Sequence, residues 1–280
     1  METVPQPEEN NYVLHRRFDR MGRLIGDTNM EKLFNAHVCV IGLGGVGSWA
    51  AESLARSGVG RLTIIDFDKV CITNANRQLH SLQGLVGQQK AEVMGDRLRK
   101  INPQAQIDVL PIFYNRDNSE QIFSLNPDYI IDAIDNLTAK CHLLSTCRSK
   151  GIRVITSAGS AARLDPLRIK MTDLGLTHSD PMAHNVRRIL RQSYEFPEKT
   201  FGIPCVFSDE TPIEPVELKY DKGQGFKCVC PQGLNNLHNC DSRNLIWGTA
   251  SFVTGSFGLT MASAVVRGII GEKNPWDEIN

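Results

Sequence analysis

Net charge is absent from this chain: 31 basic and 31 acidic side chains cancel over 280 residues. That balance does not exclude a nucleic-acid partner, because such binding depends on a local patch and not on the sum. C-x-x-C pairs are also absent. Eight cysteines stand scattered at Cys39, Cys71, Cys141, Cys147, Cys205, Cys228, Cys230 and Cys240, several inside apolar runs where a thiol acts as a small hydrophobe. The pattern suits a reducing compartment and excludes a disulfide scaffold. It also withholds the paired thiolates of a tetrahedral zinc site, for which Cys228, Cys230 and Cys240 with His238 are poorly spaced. Residues 1–11 lack the apolar core of a secretory signal and the Arg-rich, acid-poor character of a transit peptide. A flexible tail and a cytoplasmic location are expected. Internal repeats and low-complexity blocks are missing too. With 41% hydrophobic residues, the chain can bury a sizeable core, which excludes global disorder.

What is present is alternation. Residues 15–26 read as a basic helix and 30–35 as a second, short one. Strands at 37–41, 62–66, 107–110, 129–134 and 153–157 then alternate with helices at 46–57, 88–101 and 139–150. Gly151 closes the last of these, as glycine commonly does just past a helix end. Such alternation implies an α/β, Rossmann-like fold, a mostly parallel sheet with helices on both faces. After Gly159 the rhythm changes. Residues 167–171 read as a strand and 181–192 as a helix. Residues 196–239, rich in Pro, Gly and Cys, read as a long loop with short strands, and such loops are usually functional. Residues 244–266 carry no charged side chain. Their length permits a membrane span, but Gly, Ser and Thr are dense there. A buried strand or helix covering the sheet is expected, with no stable membrane insertion.

The chemistry begins at Gly42-Leu-Gly44-Gly45-Val-Gly47, which follows a strand and opens a helix. Gly42 permits a tight turn, Gly44 lets backbone approach a phosphate, and Gly47 allows close helix–strand packing. The helix start offers free N–H groups and partial positive charge to an anion. Asp66 ends the next strand, where a carboxylate can accept from ribose hydroxyls. This much suits NAD or FAD as well as ATP. The following residues decide for a triphosphate. Asp68 adds a second carboxylate. Asn74-Ala-Asn76-Arg77-Gln78 and then Lys90 bring an arginine fork and a lysine point charge to the first two βα turns. An enzyme that cleaves a nucleoside triphosphate needs such cations to stabilise the pyrophosphate leaving group. Asp135, with Asn136, follows the fourth strand at the edge where open α/β folds bind ligands, and a lone carboxylate there suits Mg²⁺.

Together, Gly42–Gly47, Asp66-Phe-Asp68, 74–78, Lys90 and Asp135-Asn136 resemble the adenylation motifs of the ubiquitin-activating-enzyme-like (ThiF) family, across roughly 16–159. The resemblance implies that Asp66 holds ribose, that Asn74, Arg77 and Lys90 hold the triphosphate, with Gln78 and Asp68 beside them, and that Asp135 binds Mg²⁺. It also implies a homodimer in which an N-terminal arginine of the partner subunit completes each site. Arg17-Phe-Asp-Arg20 resembles the family's Arg-Tyr-x-Arg segment and points to Arg20, while Arg23 is a second candidate. On this reading 1–35 is a tail and helical arm, 36–175 the ATP-binding adenylation core, and 176–280 an irregular extension of the same domain that binds substrate and completes the sheet.

A narrower resemblance covers most of the chain. Thr156-Ser-Ala-Gly159, Leu164-Asp-Pro166, Thr172-Asp-Leu174, Asp180-Pro181, Cys205-Val-Phe-Ser208 and Gly255-Ser-Phe-Gly258 resemble the tRNA threonylcarbamoyladenosine dehydratases. Residues 228–243 depart from that pattern. The resemblance implies adenylation of the threonyl carboxylate of a modified adenosine in tRNA, then intramolecular ring closure. No enzyme nucleophile is needed for such an attack; Cys205 is the candidate if a thiol takes part. For tRNA, His184, Arg187, Arg188 and Arg191 share one face of the 181–192 helix. Three rivals stand beside this reading. They are adenylation of a ubiquitin-like sulfur carrier, with a sulfur-transfer or sulfur-acceptor protein as partner, an NAD-dependent oxidoreductase, and a non-catalytic nucleotide-binding scaffold.

Overall fold

The computed structural model describes residues 13–218 and 247–273. The tail at 1–11 and Cys228, Cys230, His238 and Cys240 lie outside the described residues. After a 3-10 turn at Arg16–Phe18, α1 (Asp19–Ile25) and α2 (Asp27–Asn35) form the arm, separated by Gly26 at φ +80°. There follow β1 (His37–Ile41), α3 (Gly47–Arg56), β2 (Arg61–Ile65), α4 (Lys90–Ile101), β3 (Gln106–Leu110), α5 (Ser119–Phe123), β4 (Tyr129–Asp132), α6 (Leu137–Lys150) and β5 (Val154–Ser157). The remainder comprises β6 (Ile169–Asp173), α7 (Pro181–Tyr194), β7 (Pro204–Ser208) and α8 (Ser251–Ile270).

The strands form one seven-stranded sheet in the order β3-β2-β1-β4-β5-β7-β6. All neighbours are parallel except β6 and β7. Side chains alternate faces along each strand. Val38 and Val40 therefore join a core with Leu54, Leu62, Met94, Phe257 and Met261 under α2, α3, α4 and α8. Cys39 and Ile41 join the opposite core with Ile65, Leu144, Val186 and Leu190 under α5, α6 and α7. A sheet covered on both faces needs strands apolar throughout, and β1 is buried at every position. The register sets Leu110, Ile65, Ile41, Asp132, Thr156 and Cys205 in one transverse row. The turns after β1, β2, β4 and β5 thus emerge side by side along the carboxyl edge.

Three details differ from the sequence reading. The fourth strand stops at Asp132, so Asp135 lies in the turn before α6, whose start Asn136 caps by accepting from Ala139 N at 3.0 Å. Helix α5 was not anticipated. β6 runs antiparallel at the sheet's edge, while β7 is one of the short strands expected within 196–239. Of the charge-free stretch, residues 251–266 lie in α8, a helix long and apolar enough to cross a membrane, and its Val253, Phe257, Met261 and Val265 are wholly buried in the core, as expected for a helix covering the sheet. Gly258 explains its closeness to α3, since a Cβ there would stand 2.3 Å from Val46 O.

Candidate active site at the carboxyl edge of the sheet

The glycine turn after β1 is built by close backbone contact. Gly42 sits at φ +90°, and a Cβ on it would meet Ala133 O at 2.6 Å, in the turn after β4. A Cβ on Gly47 would lie 1.8 Å from Gly42 O. Gly45 is packed against Thr254 and the Arg77 stem, at 3.1 and 3.3 Å. Gly44 differs: the nearest atom to a Cβ there is Gln78 Nε2 at 4.0 Å. Three of the four glycines therefore pack closely in the turn, and Gly44 leaves a cradle over it.

Asp66 fixes this turn from β2. Its carboxylate accepts from Leu43 N at 2.7 Å and from Asp68 N at 2.8 Å. Burial drives its pKa upward, against the pull of Lys90. Lys90 starts α4 far along the chain, but its backbone N–H donates to Asp68 O at 2.9 Å, and its ammonium meets Asp68 Oδ2 at 2.8 Å. Burial opposes the charge on Lys90; Asp66, Asp68 and Asp135 outweigh it, and the pKa is raised. The lysine is thus a permanent cation among three carboxylates. Asn74 accepts from Cys71 N at 3.2 Å and shapes the following turn. Arg77 is half-buried, donating to Thr73 O and Asn76 Oδ1 at 2.9 and 3.0 Å. Trp49 Nε1 donates to Arg77 O at 3.1 Å, which ties this segment to α3. Gln78 is buried with its Oε1 unpartnered. Asp135 is exposed. The glycine turn, Asp66, Asp68, 74–78, Lys90 and Asp135 therefore converge on one edge.

Sequence reasoning missed a buried triad directly beneath. Lys140 Nζ meets Asp132 Oδ2 at 2.7 Å and donates to Thr156 Oγ1 at 3.0 Å, while Thr156 Oγ1 donates to Asp132 Oδ2 at 2.7 Å. The lysine and aspartate side chains are 2% and 0% exposed. Asp132 Oδ1 also accepts from Ile134 N at 3.1 Å, so the triad holds the turn that carries Asp135. No periodic signal marks it, because its members come from two strands and a helix. His80 was also missed. Its ring is buried with both nitrogens unpartnered, and burial, with Lys90 and Arg97 nearby, pushes its pKa down to about 3.

A family model described as the ThiF family matches residues 18–278. The chain belongs to the ThiF family. It is 46% identical over 263 residues to the tRNA threonylcarbamoyladenosine dehydratase of Bacillus subtilis, covering 92% of this chain and 96% of that protein. The crystal structure of the Escherichia coli tRNA N6-threonylcarbamoyladenosine dehydratase in complex with ATP superposes with a TM-score of 0.78. Identity to it is 36%, with 91% of this chain and 94% of that chain covered. A relative from another branch, the molybdopterin-synthase adenylyltransferase of Salmonella typhimurium, is 33% identical over only 56% of this chain and 59% of its own.

Within this ThiF-family chain three other expectations resolve as follows. Arg20 and Arg23 lie on α1 and are exposed, and Arg23 Nε pairs with Asp19 at 2.9 Å. Cys205 is wholly buried in β7 and burial pushes its pKa up; its thiol packs in the core and does not present a nucleophile. The basic face of α7 is divided. Arg187 is half-buried and donates to Thr177 Oγ1. Arg191 donates to Glu198 O at 2.5 Å and lies over the Phe201 ring at 5.2 Å. His184 and Arg188 are exposed.

Proposed function

We propose that this protein is an ATP-dependent tRNA threonylcarbamoyladenosine dehydratase that cyclises the threonylcarbamoyl group of its target adenosine. The observation that carries this is the extent of the likeness. It spans 92% of the chain and 96% of the Bacillus dehydratase, whereas the molybdopterin-synthase adenylyltransferase matches only 56% of the chain. In this reading the Gly42, Gly44, Gly45 and Gly47 turn cradles phosphate, Asp66 meets ribose, and Asn74, Arg77, Gln78 and Lys90 hold the triphosphate. Asp68 keeps Lys90 oriented toward it. Asp135 contributes to Mg²⁺: among the described residues no three His, Cys, Asp or Glu side chains are placed to hold a metal ion by themselves, but one exposed carboxylate beside phosphate oxygens fits this ion. Bound there, Mg²⁺ supplies charge neutralisation on the phosphates.

The substrate carboxylate attacks the α-phosphorus and pyrophosphate leaves, with Lys90 and Arg77 stabilising its charge. The ureido group of the same substituent then attacks the activated carbonyl, AMP leaves, and the ring closes without an enzyme nucleophile. The buried Cys205 is consistent with that route. We further propose a homodimer in which the partner's α1 supplies Arg20 or Arg23. The 54% and 48% exposure of Phe252 and Leu259, on an otherwise core-facing helix, supports a subunit contact. Arg188 on α7 is the residue best exposed for tRNA phosphate. The cytoplasm is where such a substrate is met. AMP release from ATP separates the candidates: it should require tRNA bearing threonylcarbamoyladenosine. Dependence on a small sulfur-carrier protein instead, without response to tRNA, would move the protein to the carrier-activating branch and make sulfur-transfer proteins its partners.

A further inference from the structure

The turn after β5 holds an arginine that no part of the nucleotide site uses. The Arg163 side chain is 1% exposed, as is that of Asp180, its ion-pair partner at 3.5 Å. One guanidinium nitrogen, Nη2, also donates to Ser179 O at 3.0 Å. The other two, Nε and Nη1, are buried with no partner. Unmet buried donors are rare, and those on a charged group are the costliest. The nearby Glu210 carboxylate is taken up by Leu164 N at 3.0 Å and Asp165 N at 3.0 Å. Asp180 is shared as well, since it accepts from Ala183 N at 2.7 Å to cap α7.

Backbone strain converges on the same spot. Four described non-glycine residues have positive φ, and two of them, Ala162 at 61° and Ser179 at 57°, stand on either side of the Arg163–Asp180 contact. Such conformations persist only where the surroundings impose them and cluster at ligand sites. Gly159 brings its backbone close against the pair: a Cβ on it would come within 3.0 Å of Asp180 Oδ2. Ala162 donates to Gly248 O at 2.8 Å and accepts from Ile213 N at 2.9 Å, so the segments around Gly248 and Ile213 close over the turn. Topology fixes the relation to ATP chemistry. β5 neighbours β4, and Thr156 of β5 is paired with Asp132 of β4, the residue that holds the Asp135 turn. Along the carboxyl edge, Arg163 therefore lies on the far side of the β4 turn from the glycine turn.

We infer that Arg163 receives the carboxylate of the acceptor substrate, in a buried oxyanion site beside the nucleotide site. The inference rests on the dehydratase reading above, which supplies a substrate carboxylate that must be held at this edge. A buried guanidinium whose Nε and Nη1 meet no acceptor, with Asp180 engaged only through Nη2, suits a carboxylate and gives no reason to admit a neutral group. Asp180 and Ser179 orient the guanidinium through Nη2 and leave Nε and Nη1 for the ligand.

The test uses the full-length protein and its R163M, R163Q and R163K variants. Each is checked by thermal melting, so that R163Q and R163K carry the test if R163M does not fold. AMP release is measured with tRNA bearing threonylcarbamoyladenosine, alongside ATP affinity and the affinity of unmodified tRNA. The expected result is a loss of about 10²-fold in kcat/KM for the modified tRNA in R163M and R163Q. R163K should recover part of it, and affinity for ATP and unmodified tRNA should stay within twofold. Wild-type kcat/KM in a folded variant, as expected were a water alone bridging the donors, would overturn the inference. So would an equal loss of ATP affinity, the mark of a merely structural role. Absence of AMP release by the wild-type protein itself overturns the dehydratase reading, a different result from any of these.

Discussion

At the scale of single residues, the site is a set of charges whose surroundings decide their state. Lys90 stays protonated because three carboxylates outweigh its burial. Removing it leaves Asp66, Asp68 and Asp135 facing a polyanion. Lys90→Ala and Arg77→Ala should therefore each lower AMP release by ~10²-fold or more, and unchanged release in both would remove the triphosphate assignment. Asp135 is exposed and bears on no fold contact described above, so Asp135→Asn should melt like the parent while losing Mg²⁺-dependent turnover. The glycines separate more sharply. Gly47→Ala drives a Cβ to within 1.8 Å of Gly42 O and should disrupt the turn, whereas Gly44→Ala meets nothing closer than 4.0 Å. The Gly44 variant should fold normally and lose ATP affinity in calorimetry. His80 carries a pH signature. Its folded pKa, about 3, lies below the unfolded value, so the unfolded chain binds more protons between the two. Stability is then fully present above about pH 6.5 and falls on acidification, by up to ~1.4 kcal/mol per pH unit. Urea titrations at several pH values should show a shallower fall in His80→Leu.

At the scale of elements, β4, α6 and β5 are locked together by Asp132, Lys140 and Thr156. Breaking a buried ion pair by removing one partner costs about 3–5 kcal/mol, much more than the pair itself contributes. Lys140→Met and Asp132→Leu should each be strongly destabilising, and the double variant less so than their sum, as a double-mutant cycle in denaturant would read. Additive costs would mean that the two side chains do not act as a pair. Helix α7 gives a second contrast. Arg188→Ala should shallow the slope of log tRNA affinity against log salt by about one unit. Arg187→Ala should instead lower stability, since that guanidinium is spent on Thr177. These elements also mark where sequence legibility ended. The βα alternation was readable because strands buried on both faces are apolar runs and the intervening stretches are longer and amphipathic, α6 being closed by Gly151. The glycine turn, Asp66 and Lys90 were readable because their spacing is local. The direction of β6 was not, because an edge strand's pairing depends on β7, which sits in a stretch read only as a long loop with short strands. Nothing in the sequence singles out Lys140 or Arg163. What buries them is the packing of distant segments, and a sequence shows no period for that.

At the scale of the whole molecule, the sheet gathers four βα turns on one edge, with the proposed nucleotide site over β1, β2 and β4 and the inferred acceptor site toward β5. Composite sites between subunits are testable by mixing. An Arg20→Ala, Arg23→Ala chain combined with a Lys90→Ala chain should regain part of the parent's activity, because each heterodimer has one site with both groups intact. No recovery despite demonstrated subunit exchange would place the completing arginine within one chain. The measurement that bears most directly on the central claim is mass spectrometry of tRNA nucleosides after incubation with enzyme and ATP, using mild digestion so that a cyclic product does not reopen. The predicted result is threonylcarbamoyladenosine converted to a species lighter by one water, only when ATP is present and not with the Lys90→Ala chain. Unaltered threonylcarbamoyladenosine, with ATP turnover proceeding on another acceptor, would contradict it.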